Sequence, residues 1–317
     1  MNKTTKIYVA GHNGLVGGAI VRRLNAHGFN NIVTRTHREL DLENASDTTE
    51  FFEKERPEIV FLAAAKVGGI HANNIYPVDF LMNNLLIESN VFRAAHQVEV
   101  GRLIFLGSSC IYPRDCLQPI KEEYLLTGPL EATNRPYALA KIAGVEMCWS
   151  YNRQFGTRWL AAMPTNMYGI GDNYDLNNSH VLPALIRKMH EAKMASSGEV
   201  VLWGSGTPRR EFLYSDDLAD GLIFLANLEG TKFDTLVNPI RCPLINVGFG
   251  EDLTIRDLAE IAADVVGYRG KFVQDTSKPD GTMRKLMDAG RMRELGWTPK
   301  VDLRTGISLA YQDYLSR

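Results

Sequence analysis

A strand, a glycine-rich turn and a helix open the chain, and this combination limits its possible folds more than any other feature. Residues 6–10 predict a buried strand, and residues 19–26 have the apolar spacing of an amphipathic helix. Gly11, Gly14 and Gly17 lie between them as G-x-x-G-x-x-G. In this setting the glycines permit a tight turn, a close approach of a pyrophosphate and close packing of the helix on the sheet. The stretch therefore predicts a dinucleotide site at the start of the helix, where free N–H groups favour an anion.

Strand patterns alternate with helical patterns through the first half of the chain. Strands are predicted at 31–36, 59–65, 102–106 and 158–163, and helices at 48–55, 78–98 and 137–155. This alternation is typical of a parallel sheet with helices on both faces. The expected fold is therefore α/β, with a Rossmann-type doubly wound parallel sheet and a smaller, discontinuous α/β substrate domain.

The regularity loosens after residue 170, which indicates a change of domain. Residues 1–170 are predicted to form the dinucleotide-binding Rossmann domain, with a return segment near 211–240, and residues 171–317 to form mainly the substrate domain. In this second part we expect helices at 181–192, 216–226, 254–266 and 303–315, strands at 200–203 and 244–247, and basic loops at 204–212 and 278–285. Thr254 is the expected N-cap of its helix.

The charge and cysteine content exclude several functional classes. With 35 basic and 37 acidic residues the net charge is −2, so no field favours nucleic acid or an acidic membrane. No apolar run is long enough to cross a bilayer, and the N-terminal residues lead into a strand rather than a signal peptide. The four cysteines form no C-x-x-C pair and the seven histidines no H-E-x-x-H motif. These patterns favour reduced thiols in a cytoplasm and predict no metal site.

The end of the predicted second strand indicates which dinucleotide binds. An NAD site carries an acidic residue there to bind the ribose 2′-hydroxyl. This chain instead has Arg35 and Arg38, and its first acidic residue is Glu39. Arginines suit a 2′-phosphate, so NADP is the expected cofactor unless both arginines are simply solvated. Asp41 and Leu42 are placed to reach the adenine edge.

Tyr137 and Lys141 stand four residues apart in a predicted helix and therefore share one face. The lysine charge is expected to lower the pKa of the tyrosine toward working pH. A tyrosine that gives and retakes a proton is a general acid for the reduction of a carbonyl group. Ser108 ends the fourth predicted strand and is the expected hydroxyl partner. The alternative to a catalytic pair is a solvated lysine beside a half-buried tyrosine with no role in a reaction.

Six further motifs extend over nearly the whole chain. They lie at 63–70, 107–113, 163–166, 178–180, 203–208 and 278–282. Together they resemble the GDP-L-fucose synthase family of the extended short-chain dehydrogenase/reductases. The resemblance implies an NADPH-dependent epimerase-reductase, a homodimer in the cytoplasm. Its expected reaction converts GDP-4-keto-6-deoxy-D-mannose to GDP-L-fucose by 3,5-epimerisation followed by 4-keto reduction.

The resemblance also assigns catalytic roles to residues of this chain. Ser108, Tyr137 and Lys141 fall on the reductase positions, and Cys110 and His180 fall on the epimerisation pair. A 4-keto group acidifies the C–H bonds at C3 and C5, and one group removes a proton while another returns it from the opposite face. Taken alone, Cys110 would be a small apolar filler and His180 a helix-entry residue.

The family's binding positions are carried over in the same way. Its substrate positions fall on Lys188, Trp203, Arg210 and Asp280, which are expected to meet the GDP moiety. Without the resemblance, Trp203 would be a core residue and Lys188 part of a solvated helix face. The family's cofactor positions fall on Gly11, Asn13, Gly14, Leu15, Val16, Gly17, Arg35, His37, Arg38, Asp41, Leu42, Leu106, Gly107, Ser108, Lys141, Pro164, Thr165, Asn166, Met167 and His180.

Three positions depart from the family pattern. Asn13, His37 and Lys188 stand where the family carries arginine. The first two changes remove fixed positive charge near the adenosine phosphate, whereas Arg35 and Arg38 remain. At the third, lysine keeps the charge but not the planar, two-pronged donor geometry of arginine.

Three alternative functions remain open from the sequence. GDP-L-colitose synthase uses the same residues to epimerise C5 and reduce C4 of the 3-deoxy keto-sugar. An NAD-retaining sugar-nucleotide epimerase or dehydratase shares the tyrosine and lysine but shows no net consumption of the cofactor. A non-catalytic dinucleotide sensor uses the same fold, although it has no need of Ser108, Tyr137 and Lys141 together.

Overall fold

Six parallel strands form the central sheet of the protein in a computed structural model. The structure describes residues 1–176, 178–277 and 280–317. For Ile70 and His71 it describes the backbone alone. Asn177, Lys278 and Pro279, which lie at or beside two of the predicted motifs, fall outside the described residues. The strands are β1 (Ile7–Ala10), β2 (Ile32–Val33), β3 (Ile59–Leu62), β4 (Arg102–Leu106), β5 (Trp159–Pro164), β6 (Asn166–Tyr168), β7 (Glu199–Trp203), β8 (Arg209–Tyr214), β9 (Leu244–Val247), β10 (Asp252–Thr254), β11 (Lys271–Asp275) and β12 (Arg284–Lys285). The α-helices are α1 (Leu15–Ala26), α2 (Ala45–Glu55), α3 (Ile70–Ile75), α4 (Pro77–Gln97), α5 (Arg135–Phe155), α6 (Val181–Met194), α7 (Ser215–Asn227), α8 (Gly230–Leu236), α9 (Ile255–Val266), α10 (Gly290–Leu295) and α11 (Leu303–Leu315).

The order of strands in the central sheet is β2-β1-β3-β4-β5-β9. Every neighbouring pair is parallel, and Ile7 of β1 stands opposite both Ile32 of β2 and Ile59 of β3. The chain therefore leaves β1 toward one edge and returns on its other side. Such a switch opens a crevice at the carboxyl ends of the strands, where α/β proteins bind ligands. The predicted Rossmann-type parallel sheet is confirmed.

Two hydrophobic cores cover the faces of this sheet. Alternate residues of β1 point to opposite faces, so Ile7 and Val9 join one core while Tyr8 and Ala10 join the other. Helices α1 and α7 pack over the first face, and α2, α4 and α5 over the second. The helix that contains the predicted Tyr137–Lys141 pair therefore lies directly against the strands whose ends form the crevice.

A third core underlies the smaller part of the chain, built largely by α6, α9 and α11. β10, β8 and β12 form one small sheet, in which β6 also pairs with β8, and β7 and β11 form another. β9 nevertheless joins the central sheet beside β5. The predicted return segment near 211–240 therefore ends too early, because the central sheet also includes β9 from the second half of the chain.

Glu211 of β8 connects the small sheets to the central one. Its side chain is fully buried, and its carboxylate accepts hydrogen bonds from the backbone N–H groups of Gly250 at 2.6 Å and Met287 at 2.9 Å. Its own carbonyl oxygen accepts hydrogen bonds from the side chains of Thr165 and Asn166 beside the end of β5. Each carboxylate oxygen has a donor, which offsets part of the cost of burial, although burial still raises the pKa of Glu211.

Some element boundaries agree closely with the sequence patterns, and one strand is much shorter than predicted. The tail helix is found at Leu303–Leu315 as predicted, and Thr254 forms the N-cap of α9 in a capping box with Asp257. The second strand ends at Val33 rather than at residue 36, because the chain then turns and the backbone N–H of Thr36 donates to the carboxylate of Glu39 at 2.7 Å.

The two predicted basic loops, at 204–212 and 278–285, are partly wrong. Arg209–Tyr214 is strand β8, and Arg284–Lys285 is strand β12. These polar stretches pair as strands because Asp252 of β10 binds Arg209 at 2.9 Å and Arg284 at 2.5 Å. Charge pairing across the strands replaces the apolar alternation by which strands are recognised in a sequence.

Three further observations concern the described part of the chain. None of its helices combines the length and apolarity needed to cross a membrane. Its His, Cys, Asp and Glu side chains form no group of three or more with the arrangement of metal ligands. All four cysteines are free thiols, and two of them are buried.

Gly17 offers a direct test of how closely α1 packs on the glycine turn. A Cβ atom there would lie 2.1 Å from the carbonyl oxygen of Gly11, and a backbone atom cannot be relieved by a change of rotamer. We expect Gly17→Ala to lower the free energy of unfolding by about 1–3 kcal/mol, as overpacking does. Urea unfolding measures this change. Gly198→Ala is the control, because its Cβ would meet no atom within 4 Å; equal stability of the two variants would contradict the prediction.

Candidate active site

The crevice at the carboxyl ends of the central strands gathers most of the residues predicted to be functional. The glycine turn follows β1, and Ser108 and Cys110 follow β4 at a short 3₁₀ helix, Ser109–Ile111. Helix α5 brings Tyr137 and Lys141 to the same place from the second face of the sheet. The candidate site is therefore assembled from distant parts of the chain at one end of the sheet.

The glycine turn after β1 leaves room for an anion. Gly11 has φ +84°, and a Cβ atom there would lie 2.7 Å from the backbone nitrogen of Ala64, so only glycine fits. Helix α1 begins directly after Gly14, earlier than predicted. Within the described residues, no side chain caps the first N–H groups of α1, and the buried Nδ1 atom of His12 has no hydrogen-bond partner. This arrangement fits the phosphates of a dinucleotide.

Arg35, predicted to contact a 2′-phosphate, is held by groups of α2 and of its own loop. Its guanidinium binds Glu55 of α2 at 2.6 Å and the carbonyl oxygen of Thr34 at 2.7 Å. The same group lies 5.3 Å from the ring centre of Phe51. These contacts turn Arg35 toward α2, because a carboxylate and an aromatic ring on that helix satisfy its charge locally.

Two other cations remain at the end of β2. The side chains of His37 and Arg38 are exposed there. The Nδ1 atom of His37 lies 3.7 Å from the carboxylate of Asp41, so the imidazole adds positive charge only when protonated. Arg38 therefore supplies the permanent charge at this end of the crevice.

The loops after β4 and β5 lie against each other at the crevice. A Cβ atom at Gly107 would overlap the side chain of Met163 in β5, so the two segments are in close contact. Thr165 and Asn166 donate their side-chain hydrogen bonds to the carbonyl oxygen of Glu211. These two predicted cofactor positions therefore also support the connection between the sheets.

Ser108 and Tyr137 are brought together as predicted. Ser108 lies close enough to Tyr137 to lower the pKa of its hydroxyl, and the Ser108 Oγ atom accepts a hydrogen bond from the backbone N–H of Cys110 at 3.4 Å. The ring of Phe80 from α4 meets the Tyr137 ring edge to face at 6.2 Å between centres. Serine, tyrosine and cysteine thus form one connected group beside the end of β4.

The expected lowering of the pKa of Tyr137 by Lys141 is wrong. Burial raises the pKa of the Tyr137 hydroxyl well above its usual value, and the charges of Cys110 and Glu88 raise it further. The hydrogen bond with Ser108 acts in the opposite direction but is outweighed. The Lys141 ammonium lies 5.8 Å from the centre of the tyrosine ring, and its ion-pair partner is elsewhere.

That partner is Glu88 of α4, which the sequence analysis missed. Its Oε1 atom lies 3.2 Å from the Lys141 Nζ atom, and the exposed fractions of the two side chains are 1% and 2%. Burial raises the pKa of Glu88 to about 7, although Lys141 opposes the shift. The helical spacing of α4 could have indicated that Glu88 is buried, because Asn84, Glu88 and Val91 lie on one buried stripe of the helix.

Cys110 is buried beside a second lysine that the sequence analysis also missed. Burial raises the pKa of the Cys110 thiol above its usual value and outweighs the Lys285 charge, the Ser108 side chain and the Lys141 charge, which lower it. Lys285 belongs to β12, where it stands opposite Arg210 of β8. Burial lowers the pKa of the Lys285 ammonium, and Arg210 lowers it further. Lys285 therefore lies between Cys110 and Arg210, a predicted substrate residue.

His180 lies at a different part of the crevice. It is exposed at the N-cap of α6, and partial removal from water lowers the pKa of its imidazole. The preceding carbonyl groups of Asn178 and Ser179 approach Gly69, whose Cβ would lie within 3.9 Å of both. Within the described residues, the His180 side chain makes no hydrogen bond or ion pair. His180 therefore begins α6 next to the loop that follows β3.

The four predicted substrate residues form one surface beside Lys285. The Lys188 ammonium lies 5.2 Å from the ring centre of Trp203, which is 61% exposed, so the alternative of a core tryptophan is wrong. Asp280 accepts hydrogen bonds from the backbone N–H and hydroxyl of Ser205, at 2.9 and 2.7 Å. Its charge also acts on Arg210. An aromatic face and three charged groups are thus brought together on the smaller part of the chain.

Comparison with known proteins agrees with this arrangement. Residues 7–236 match the model of the NAD dependent epimerase/dehydratase family. The chain is 53% identical to GDP-L-fucose synthase 1 of Arabidopsis thaliana, over 99% of this chain and 94% of the relative. It is 40% identical to GDP-L-colitose synthase of Yersinia pseudotuberculosis, over 98% of each chain.

A solved structure agrees equally well. The GDP-D-glycero-L-gluco-heptose synthase of Campylobacter jejuni, solved in the presence of NADPH, superimposes with a TM-score of 0.91 at 37% identity, covering 99% of each chain. Similarity in sequence and in fold thus extends over both the central sheet and the smaller part of the chain. The chain belongs to the NAD dependent epimerase/dehydratase family, as a relative of the GDP-L-fucose synthases.

Proposed function

We propose that this protein is an NADPH-dependent epimerase-reductase that converts GDP-4-keto-6-deoxy-D-mannose to GDP-L-fucose. The proposal rests on one observation above all: Lys285 stands opposite Arg210 in the pairing of β12 with β8, and its charge acts on the Cys110 thiol. It thereby joins the Ser108–Cys110–Tyr137 group to the surface formed by the predicted substrate residues. The extent of the similarity to the Arabidopsis GDP-L-fucose synthase supports the same reaction.

The crevice at β1 is the proposed site of the cofactor. The uncapped N–H groups after Gly14 would hold the pyrophosphate, and His12 offers a ring nitrogen beside it. Arg38, with His37 when protonated, would face the 2′-phosphate. When bound, NADPH supplies a hydride to C4 of the keto-sugar. The NADPH in the similar Campylobacter structure supports this choice over NADH.

Reduction then depends on proton transfer from Tyr137. As C4 receives the hydride, the O–H bond of Tyr137 breaks and a new O–H bond forms on the carbonyl oxygen. Ser108 would donate a hydrogen bond to the same oxygen as negative charge develops on it. The raised pKa of Tyr137 keeps the proton on the hydroxyl until the carbonyl oxygen becomes basic.

Epimerisation precedes reduction and needs two groups on opposite faces of the sugar ring. We assign the base to Cys110, whose thiolate is favoured by Lys285 and Lys141 although burial opposes it. It would remove the proton from C3 or C5 and leave an enolate that the 4-keto group stabilises. His180, at the other part of the crevice, would return a proton from the opposite face.

GDP would bind on the surface beside Lys285. Trp203 offers an exposed ring to the base, and Lys188 and Arg210 offer positive charge to the diphosphate. Asp280 would orient a hydroxyl or base group. In this arrangement residues 1–170, with their return segment, form the cofactor domain, and residues 171–317 form mainly the substrate domain.

A homodimer in the cytoplasm is the proposed working form. Val78, Met82 and Leu86 are exposed apolar side chains spaced four residues apart on α4, and Leu139 is exposed on α5. We expect sedimentation velocity to give twice the chain mass of 35.5 kDa. A monomer mass at micromolar concentration would contradict the dimer. The free thiol form of Cys110 suits a reducing compartment.

The reaction is tested by loss of NADPH absorbance with GDP-4-keto-6-deoxy-D-mannose. We expect oxidation with GDP-L-fucose as product, slower reaction with NADH, and a loss of about 10²–10⁴-fold in Tyr137→Phe with cofactor binding retained. The 3-deoxy keto-sugar is assayed in parallel, because preference for it would assign GDP-L-colitose synthesis instead. No oxidation of NADPH with either sugar would refute the reductase.

Cys110 and Cys116 provide a matched pair for the epimerisation step. Without NADPH, the enzyme in D₂O is expected to exchange the C3 and C5 protons of the keto-sugar, which NMR detects. We expect Cys110→Ser to slow this exchange about 100-fold or more, because a hydroxyl is a far weaker base than a thiolate at neutral pH. Cys116→Ser keeps the wild-type rate. Exchange in Cys110→Ser at the wild-type rate would assign the base elsewhere.

A further inference from the structure

Three buried side-chain oxygens beside the crevice have no hydrogen-bond partner within the described residues. They are Oδ1 of Asn73, Oδ1 of Asn134 and Oγ of Ser179. An oxygen that is shielded from water and left unpaired is costly, so native proteins rarely contain one without a ligand or an ordered water to compensate it. Because these oxygens come from segments far apart in the chain, their common location indicates a binding site.

The loop after β3 connects the first and third of these oxygens. Asn73 of α3 is buried, and its amide group donates hydrogen bonds to the carbonyl oxygens of Gly68 at 2.9 Å and Gly69 at 3.1 Å. These bonds determine which end of the Asn73 side chain is the oxygen. A Cβ atom at Gly69 would lie 3.9 Å from the carbonyl oxygen of Ser179. The loop after β3 therefore lies between Asn73 and the turn that contains Ser179.

The second oxygen lies beside Tyr137. Helix α3 packs against the 3₁₀ turn Ala132–Asn134, which leads directly into α5. Asn134 stands at the N-cap position of α5, where its side chain caps no N–H group of the described chain, and Tyr137 follows three residues later. The Phe80 ring meets the Tyr137 ring edge to face and would lie 3.0 Å from a Cβ atom at Gly68. All three oxygens therefore border the part of the crevice where Tyr137 lies.

The chemistry of the three atoms selects a sugar hydroxyl group as the ligand. Two are amide oxygens, which only accept hydrogen bonds, and the third belongs to a hydroxyl that can accept or donate. Acceptor oxygens repel a phosphate, so they disfavour the diphosphate, whereas a sugar hydroxyl supplies the donor that they lack. In the keto-sugar, C4 has two neighbours: C3 carries a hydroxyl group, and C5 carries an apolar methyl group. The polar group closest to the C4 carbonyl is therefore the one on C3.

We propose that Asn73, Asn134 and Ser179 form a pocket that binds the C3 hydroxyl group of the keto-sugar. Tyr137 and Ser108 face the oxygen on C4 in the proposed reaction, so the group on C3 falls beside them, where the three oxygens lie. Because a hydroxyl donates only one hydrogen bond at a time, more than one acceptor lets it stay bound while C3 inverts. The inference rests on the proposed function and adds the determinant that separates the 3-hydroxy sugar from its 3-deoxy counterpart.

The test compares Asn134→Ala and Ser179→Ala with Asn152→Ala. Asn152 is the matched control, because it is a buried asparagine of α5 whose side chain is paired with Trp159 and Thr157. The measurement is kcat/KM for NADPH oxidation with GDP-4-keto-6-deoxy-D-mannose and with its 3-deoxy form. We expect each pocket variant to lose about 10–100-fold with the 3-hydroxy sugar and less than about twofold with the 3-deoxy sugar. Asn152→Ala is expected to change both values by the same factor.

Two results would overturn the proposal. An equal loss with both sugars would mean that Asn134 and Ser179 only support the fold or the position of His180. No loss with either sugar would mean that the three oxygens bind water rather than the substrate. Asn73→Ala is a weaker test, because it also removes the hydrogen bonds that hold the loop after β3.

A binding measurement without turnover separates this inference from the proposed function. Isothermal titration calorimetry compares GDP-D-mannose with GDP-3-deoxy-D-mannose, which differ only at C3 and have no carbonyl group to reduce. We expect the wild type to bind the 3-hydroxy compound about tenfold or more tightly, and Asn134→Ala and Ser179→Ala to reduce that difference. Equal affinity of the wild type for both compounds would contradict the pocket. If no keto-sugar is reduced, the proposed function fails while this comparison still judges the pocket.

Discussion

The carboxylate of Glu211 is the contact on which the shape of the site depends. Its two oxygens bind N–H groups of segments that follow β9 and β12, and its carbonyl oxygen binds side chains beside β5. β8 and β12 carry Arg210 and Lys285, so this buried group fixes the proposed substrate surface against the crevice. A buried carboxylate tolerates little displacement, because any oxygen that loses its donor remains uncompensated in a region without water.

Within the crevice, the balance of buried charge decides what each catalytic group does. Two ammonium groups, Lys141 and Lys285, face one carboxylate and one thiol. Glu88 pairs with the first lysine, whereas the charge of Lys285 lowers the pKa of the Cys110 thiol against the larger effect of burial. The two lysines, Lys141 and Lys285, thus have different partners within one site. In the proposed reaction Tyr137 donates a proton during reduction, and Cys110 removes one during epimerisation.

The residues that sequence patterns predicted well are those that a local rule specifies. The glycines of the first turn, the Tyr137–Lys141 spacing and the Thr254 cap each follow from the geometry of one strand or helix. The alternation of strands and helices likewise determined the parallel sheet, since parallel neighbours need crossover connections. The resemblance to the GDP-L-fucose synthases added Cys110, His180 and the substrate positions. No local pattern would have identified these.

The sequence by itself therefore determined the class of fold, the dinucleotide turn and the identity of the tyrosine and lysine, because each depends on neighbours within a few residues. Only the tertiary structure decided the charges around them. Arg35 is turned toward Glu55, Lys141 is paired with Glu88 across two helices, and Lys285 lies beside Cys110 from a strand far along the chain. The physical reason is that the protonation of a buried group depends on which charges lie within a few ångströms in space, and separation along the chain carries no information about that distance.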